Sequence, residues 1–382
     1  MRPRLILAAN ATPGHGGQGL NLRQMIEGLG GDFDLTVFCQ TAVEGNAPVS
    51  DSCLARWILS VPVLRRLRDH AIFLRDTHFD REVARRLPAA DLFQGAVGQC
   101  LESLSAARRR GAATVLDSVT CHVDQLGEVQ ARECPPFGVR PALHPGARDR
   151  VRKEYEAADL IRVMSDVAAR SFLERGCPAH RIAVARPFFD VAEFPQATFR
   201  SPTFRVCFVG LIEPWKGFHY LIQAFHQLAL ADSELVLWGG PGARGIARYL
   251  REQMARNPAI TVRPVSVRSV GYDHVYAASS VLVQPSLSDG FGYVVGEAMA
   301  CGIPVIVTST AGASDVVVDG ANGYIVPPGD ADAICERLRH LAAHPALLRE
   351  MGRRAREAVR PLSREEFRRV YPRRLEALAC AN

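Results

Sequence analysis

The chain has 382 residues, enough for two α/β domains each with its own core, and its 48% hydrophobic and 23% charged content is that of an ordinary globular protein. The net charge of +6 is spread evenly, with 26 basic against 23 acidic residues through Arg200 and 20 against 17 beyond it; this excludes a dedicated nucleic-acid stripe and leaves anionic small ligands or an acidic lipid surface as partners. No stretch has the apolar length of a membrane span, MRPRLILAAN is too short an apolar run for a signal peptide, and the ten cysteines are scattered without CxxC or metal-ligand spacing, so they read as reduced thiols in cytosol.

Arg4 to Ala9 reads as a first strand, and the loop NATPGHGGQG follows it from Asn10 to Gly19. From Leu20 the apolar spacing Leu22, Met25, Ile26, Leu29 predicts a helix ending at Gly30-Gly31, and Asp34 to Cys39 is a second strand. Gly14, Gly16 and Gly19 satisfy G-x-G-x-x-G between strand and helix, a dinucleotide pattern, so a nicotinamide-dependent oxidoreductase enters as a reading. That pattern also wants an acid at the end of the second strand to hold the ribose, where Cys39-Gln40-Thr41 stands instead. A tight strand-to-helix turn accounts for the same glycines.

In residues 50–87, Trp57, Ile58, Leu59, Val61, Val63, Leu64 and Leu67 interleave with Arg56, Arg65, Arg66 and Arg68. Because Pro62 interrupts the period, the stretch reads as a helix packed on its own domain with a charged outer face; a basic amphipathic surface against a membrane is the other reading. Asp91-Leu92-Phe93 is a short strand, a helix runs from about Gln99 to Arg110, and Thr114 to Asp117 is a further strand with His122 five residues on. Polar residues at the carboxyl end of a strand in an open α/β sheet face the ligand crevice, which makes Asp117 and His122 candidates. A histidine in that place also serves as a plain capping or loop residue. Ser165 is a predicted helix cap. The prolines of Arg186-Pro187 through Pro195 and Pro202 mark the exit from a first domain, residues 1–190, through a linker, residues 191–203, into a second, residues 204–360.

Phe204 to Gly210 is a β-rich run into glycine, followed by Glu213-Pro214-Trp215-Lys216-Gly217 and a helix from Tyr220 to Leu230. Lys216 is the only lysine among the 20 basic residues beyond Arg200. Glu234 to Gly240, Ile260 to Val262 and Val281 to Gln284 continue the alternation of strand and helix. The most informative stretch is Pro285 to Val305, PSLSDGFGYVVGEAMACGIPV. It reads as a strand stop at Pro285-Ser286, a glycine turn at Asp289-Gly290-Phe291-Gly292, and a helix from Tyr293 to Cys301 ended by Gly302 and Pro304. Loop amides and a helix N-terminus facing one way make a phosphate seat, and Asp289 and Glu297 beside it can accept hydrogen bonds from sugar hydroxyls. Phosphate and sugar together point to a nucleotide sugar. Ser363-Arg364-Glu365-Glu366 opens a last helix with a capping box.

The central string resembles the E-x7-E signature of the GT-B glycosyltransferases of family 4, usually EGFGLPxLEAMACGxPV, with Asp289 at the first acid and Glu297 at the second. Gly210 followed by Lys216-Gly217 is similar to that family's VGRLxxxKG, with Leu211 where the arginine is usual and Arg244 nearby as a substitute cation. LDSVTCH is similar to its LDRxxxH segment, Ala157 to Ser165 to its AD-x-I-x-x-x-S strand, and Ala311 to Gly323 to its TxxGGxxxxVxxGxNG tract. The resemblance implies two Rossmann-like β/α/β domains facing a cleft, with the final helix, residues 361–382, returning to the first domain. It implies retaining transfer of a hexose from a UDP- or GDP-linked donor to a hydroxyl of a glycan, glycolipid or small molecule. Neither a metal nor a cofactor beyond the donor is implied, and no nucleic acid; the setting is cytoplasmic, with a peripheral contact on the inner membrane face. Lys216, Asp289 and His122 are the implied catalytic residues, Lys216 standing on the donor pyrophosphate. Implied donor contacts are Gly16, Gly17, Gly210, Gly290, Phe291, Gly292, Tyr293 and, on the ribose, Glu297; Asp117 and His122 lie on the acceptor side. Asp289 is one methylene shorter than the usual glutamate, so the donor hexose stays open. The rival readings are a GT-B-type sugar-nucleotide epimerase, the oxidoreductase, and a non-catalytic binding protein.

Overall fold

The structure, a computed structural model, describes residues 2–42, 48–49, 52–60, 68–140, 144–199 and 203–381. Pro202 and residues 61–67 of the amphipathic stretch lie outside them.

The first domain runs β1 (Arg4–Ala8), α1 (Gly16–Leu29), β2 (Asp34–Phe38), α2 (Cys53–Ser60), α3 (Arg68–Arg86), β3 (Leu92–Ala96), α4 (Leu101–Arg109) and β4 (Ala113–Ser118). It continues through α5 (Val123–Glu133), α6 (Pro145–Ala157), β5 (Leu160–Val163), α7 (Asp166–Leu173) and β6 (Ile182–Val184). The second domain opens with β7 (Phe204–Val209), α8 (Phe218–Leu228), β8 (Ser233–Trp238), α9 (Arg244–Arg256), β9 (Ile260–Arg263) and a single turn, α10 (Val267–Val270). Then follow β10 (Val281–Gln284), α11 (Tyr293–Ala300), β11 (Val305–Thr308), β12 (Gly323–Val326), α12 (Ala331–Ala343), α13 (Pro345–Val359) and α14 (Arg364–Ala381).

Two six-stranded sheets result, ordered β2-β1-β3-β4-β5-β6 and β12-β11-β10-β7-β8-β9, and every pairing is parallel. Helices cover both faces of each, which is why strands such as Val281-Leu282-Val283 are buried throughout and read as unbroken apolar runs rather than alternating ones. The strand order reverses between β1 and β3 in the first sheet and between β7 and β10 in the second, and ligands of open α/β sheets sit outside the carboxyl ends of the strands at such a reversal. The fold class is therefore the expected one, α/β with two Rossmann-like units.

The last helix lies on the first domain. Phe367 packs where a side chain on Gly28 of α1 would stand, 2.5 Å from the Cβ position, and Arg364 pairs with Glu27 at 3.0 Å. The Ser363 hydroxyl caps α14 by accepting from the Glu366 amide at 3.1 Å.

Two boundaries differ from expectation. The amphipathic stretch is two helices, α2 and α3, with Ala55 packed on Ala71 and Leu54 and Trp57 facing solvent at 55% and 57% exposure. Helix α1 begins at Gly16, four residues before the apolar spacing starts, because Gly14 donates its amide to the Gly19 carbonyl at 2.6 Å and winds the loop tightly. Gly19 tolerates no side chain there: a Cβ would lie 2.0 Å from the Thr12 carbonyl oxygen. Gly16 and Gly17 thus form the open first turn of a helix, with nothing within 4 Å of either Cβ position. Among the described residues, no helix is long and apolar enough to cross a membrane and no cysteine pairs with another.

Candidate active site

The strands flanking the reversal in the second sheet each deliver one charged residue. The loop after β7 passes Gly210, in the left-handed region at φ 137°, and ends in the turn Pro214–Lys216. Gly217, at φ 70°, follows, and a Cβ there would lie 1.9 Å from the Pro285 carbonyl oxygen, so the loop is pressed onto the end of β10. The loop after β10 carries Asp289. The Lys216 ammonium donates to Asp289 Oδ2 at 2.6 Å, and the Ser286 hydroxyl donates to the same oxygen at 3.3 Å. Leu211, where a cation is usual, is 51% exposed, and Arg244 is an exposed first residue of α9.

The glycine turn behind Asp289 is fixed from both domains. Gly290 stands so close to the β4–α5 loop that a Cβ would be 2.1 Å from the Val119 carbonyl oxygen. Ser165, the predicted cap, accepts from the Ala168 amide at 2.9 Å and donates to the Gly290 carbonyl at 2.6 Å. Phe291 is buried against Phe189, and Gly292, at φ 87°, caps α11 without a side chain, so the α11 amides open directly onto the crevice.

Glu297 lies one turn into α11, buried, accepting from Tyr276 Oη at 2.8 Å and Tyr272 Oη at 3.5 Å, with Arg268 at 3.9 Å. Burial pushes its carboxyl up, against the hydroxyl of Tyr276 and the charge of Arg268. Both tyrosines are aimed by a five-residue π-helical turn, Asp273–Ala277, and their rings stack at 6.0 Å; such turns concentrate at functional sites. Sequence reasoning passed over this pair. No helical spacing announces it, since Gly271, at φ 103°, ends α10 between Arg268 and Tyr272.

On the facing wall, His122 caps α5, its Nδ1 accepting from the Asp124 amide at 3.2 Å, and its ring packs on Tyr155 and Phe172. The same loop places Cys121 Sγ 3.5 Å from the Asp289 carbonyl oxygen, so His122, Asp289 and Lys216 belong to one cluster of loops. Burial brings the imidazole down to about 4. The unfolded chain binds this proton more readily, at about 6.5, so the stability His122 contributes is full above that pH and is lost as pH falls towards 4, about 2–3 kcal/mol of it between pH 7 and pH 4.5. His122→Asn keeps a capping side chain without the titration. In urea unfolding at pH 7 and pH 4.5 it is expected to show a stability gap narrower than wild type by that amount; an unchanged gap would put the proton elsewhere.

Asp117 is the penultimate residue of β4, five residues before His122. It is 5% exposed and accepts from Arg162 at 2.8 Å, Asn21 at 2.8 Å and Gln94 at 3.1 Å, so its oxygens are committed inside the first domain. Three buried donors thus hold its carboxylate within the network of the first domain. Tyr293 reaches across from α11 to the same network, its hydroxyl 3.4 Å from Asn21 Oδ1. Gly16 and Gly17 lie on the first domain, in the exposed turn that opens α1 beside the β1/β3 reversal. Among the described residues, no group of three His, Cys, Asp or Glu could hold a metal ion.

Residues 191–358 match the family model described as Glycosyl transferases group 1. A D-inositol 3-phosphate glycosyltransferase of Streptomyces bingchenggensis is 32% identical over 227 residues, 54% of this chain and 48% of that protein. A putative colanic acid biosynthesis glycosyltransferase of Salmonella typhimurium is 29% identical over 216 residues, 54% of this chain and 53% of its own. The chain thus aligns with about half the length of the curated relatives it matches. Among solved structures, sucrose-phosphate synthase from Thermosynechococcus elongatus superposes with a TM-score of 0.73 at 20% identity, and Anabaena HepE in complex with UDP-glucose with 0.71 at 16%, each over 100% of both chains. The fold is that of these proteins. Residues 191–358 are thus similar to a group 1 glycosyltransferase domain, and the relatives the chain matches are named glycosyltransferases.

Proposed function

We propose that this chain, built around a group 1 glycosyltransferase domain, is a family 4 enzyme of the E-x7-E type that moves a hexose from a UDP- or GDP-linked donor to a hydroxyl of a glycan, glycolipid or small molecule, with retention and without a metal. The observation that carries this reading is the Lys216–Asp289 contact of 2.6 Å, formed by the two strands that flank the sheet reversal, directly before the uncapped N-terminus of α11. A cation and a helix N-terminus in one crevice suit a diphosphate; carboxylates beside it suit sugar hydroxyls. That HepE was solved with UDP-glucose makes a UDP-sugar the first donor to try.

In this reading Lys216 stabilises the charge that develops on the diphosphate as the bond from the sugar C1 to the phosphate oxygen breaks. Gly210, Gly290, Phe291, Gly292 and Tyr293 shape the seat, with Gly16 and Gly17 approaching the diphosphate from the first domain. Glu297, aimed by Tyr272 and Tyr276, takes the ribose. Asp289 holds Lys216 and takes a hexose hydroxyl, and His122 orients sugar and acceptor. The acceptor oxygen bonds to C1 on the face the phosphate leaves, its proton passes to the leaving phosphate oxygen, and the nucleoside diphosphate departs. The enzyme works in the cytoplasm, on acceptors that include lipid-linked ones at the inner membrane face.

The test is a thermal-shift panel with UDP, GDP, ADP, their common sugar conjugates and NAD⁺ in EDTA, followed by donor turnover. Stabilisation by UDP or GDP and turnover in EDTA are expected. A response to NAD⁺ alone would favour the oxidoreductase; donor turnover that yields only an epimer would favour the epimerase; diphosphate binding without turnover would favour the binding protein.

A further inference from the structure

Resting on the reading of Lys216 as the diphosphate cation, we propose that Glu133 is a positioning residue that sets Lys216 from the opposite domain, through the first turn of α8. Helix α8 starts two residues after Lys216, has no acidic residue in its first turn, and is preceded by Gly217, which offers no capping side chain. Helix N-termini call for such a group. Here it comes from across the cleft. Glu133, the last residue of α5, is 6% exposed, and its Oε2 accepts from Tyr220 Oη at 3.1 Å and lies 3.2 Å from His219 Nε2, while Oε1 takes Arg132 Nε at 2.7 Å. A carboxylate only accepts, so the His219 proton sits on Nε2; the buried Nδ1 has no partner among the described residues. Burial alone would raise the Glu133 carboxyl, but His219 and Arg132 bring it down to about 2, so it stays charged.

The contact cannot slide. Two residues past Glu133 the turn Pro135–Phe137 drives Phe137 into the core of the second domain, with ring centroids 5.5 Å from Phe218, 5.2 Å from His219 and 5.2 Å from Tyr249. Gly245 admits the backbone there, since a Cβ would lie 1.7 Å from the Phe137 carbonyl oxygen. On its other side the Lys216-Gly217 step is pressed onto Pro285. Helix α5 therefore spans the cleft, with His122 at its start beside Asp289 and Glu133 at its end on α8. A shift of the α8 first turn moves Lys216 against Asp289, three residues away in sequence from His219.

The experiment compares Glu133→Ala, Glu133→Gln and Lys216→Ala, singly and with the first and last combined, using UDP-glucose as donor and GDP-glucose if the ligand panel selects guanosine. Glu133→Ala is expected to lower kcat about tenfold with KM for the donor within about twofold, and to add no loss on the Lys216→Ala background, as residues acting through one another do. Glu133→Gln keeps one acceptor oxygen and is expected to recover most of the rate. Hydrogen exchange of the amides from Gly217 to Leu221 should quicken in Glu133→Ala. Wild-type kcat, or a loss that adds fully to that of Lys216→Ala, overturns the proposal. If Glu133→Ala does not fold, Tyr220→Phe, which removes one donor only, carries the same comparison. If the wild-type chain turns over no nucleotide sugar, the reading of the site fails, and the exchange rates alone decide whether Glu133 holds α8: unchanged rates overturn the proposal.

Discussion

Lys216→Ala is expected to lower kcat by about 10²–10³-fold, the usual cost of removing one group that meets charge developing in a transition state. The effect is large because the crevice has little to substitute for it. Leu211 puts a half-exposed aliphatic side chain where a second cation is usual, and the α11 amides supply only partial charge. The ammonium is also already oriented, held by Asp289 at 2.6 Å and by a loop that Gly217 presses against Pro285. Alanine therefore loses a preorganised charge rather than a mobile one. It also leaves Asp289, 11% exposed at its side chain, with the Ser286 hydroxyl as its remaining hydrogen-bond donor among the described residues. Like charges would then face each other when the diphosphate enters, so donor affinity should fall together with turnover. Lys216→Ala/Asp289→Asn separates these effects: it should recover the thermal shift given by the nucleoside diphosphate without recovering kcat. Wild-type turnover in Lys216→Ala would remove Lys216 from the diphosphate.

The alternation of strand and helix could be read from the chain because parallel strands covered on both faces are short, unbroken apolar runs. Val281-Leu282-Val283 and Val305-Ile306-Val307 needed no further argument. The Lys216 and Asp289 loops were legible for a related reason: glycines mark the ends of strands, and charged residues next to them at the carboxyl ends of the strands stand at a crevice. What stayed hidden depends on distance along the chain. Arg162 meets Asp117 across 45 residues, and Glu133 meets His219 across 86, so no spacing announces either pair. Asp117 looked like a crevice acid because it ends an apolar run; only the fold shows that β5 brings a guanidinium beneath it. The start of α1 was hidden in another way. Gly16 and Gly17 are poor helix formers, and tertiary contacts at Gly14 and Gly19 outweigh that preference.

Arg162→Met should be the most destabilising single change in the first domain, by about 3–5 kcal/mol, because it strands a buried carboxylate. Arg162 is fully buried. Its guanidinium meets Asp117 Oδ1 at 2.8 Å, Asn21 Oδ1 at 2.5 Å and the Ala185 carbonyl at 2.7 Å, joining β4, β5 and α1 to the segment that follows β6. Gln94 of β3 shares the carboxylate and accepts from Tyr371 Oη at 3.0 Å, and the Tyr371 ring lies 5.9 Å from the guanidinium. The pair thus anchors α14, the helix that returns from the second domain, and through Asn21 it reaches Tyr293 of α11. Methionine fills the volume but donates nothing, so Asp117 keeps only the two carboxamide donors. Urea unfolding should report the loss, with a melting point lower by about 10 °C at about 2–4 °C per kcal/mol. Asp117→Leu/Arg162→Met should regain part of it, since no buried charge remains, although Asn21 and Gln94 each lose a partner. Limited proteolysis should cut near Arg364 sooner in Arg162→Met than in wild type, as α14 detaches. A loss below about 1 kcal/mol would mean that water reaches Asp117 once Arg162 is gone, so that the network orders the cleft wall without stabilising the domain.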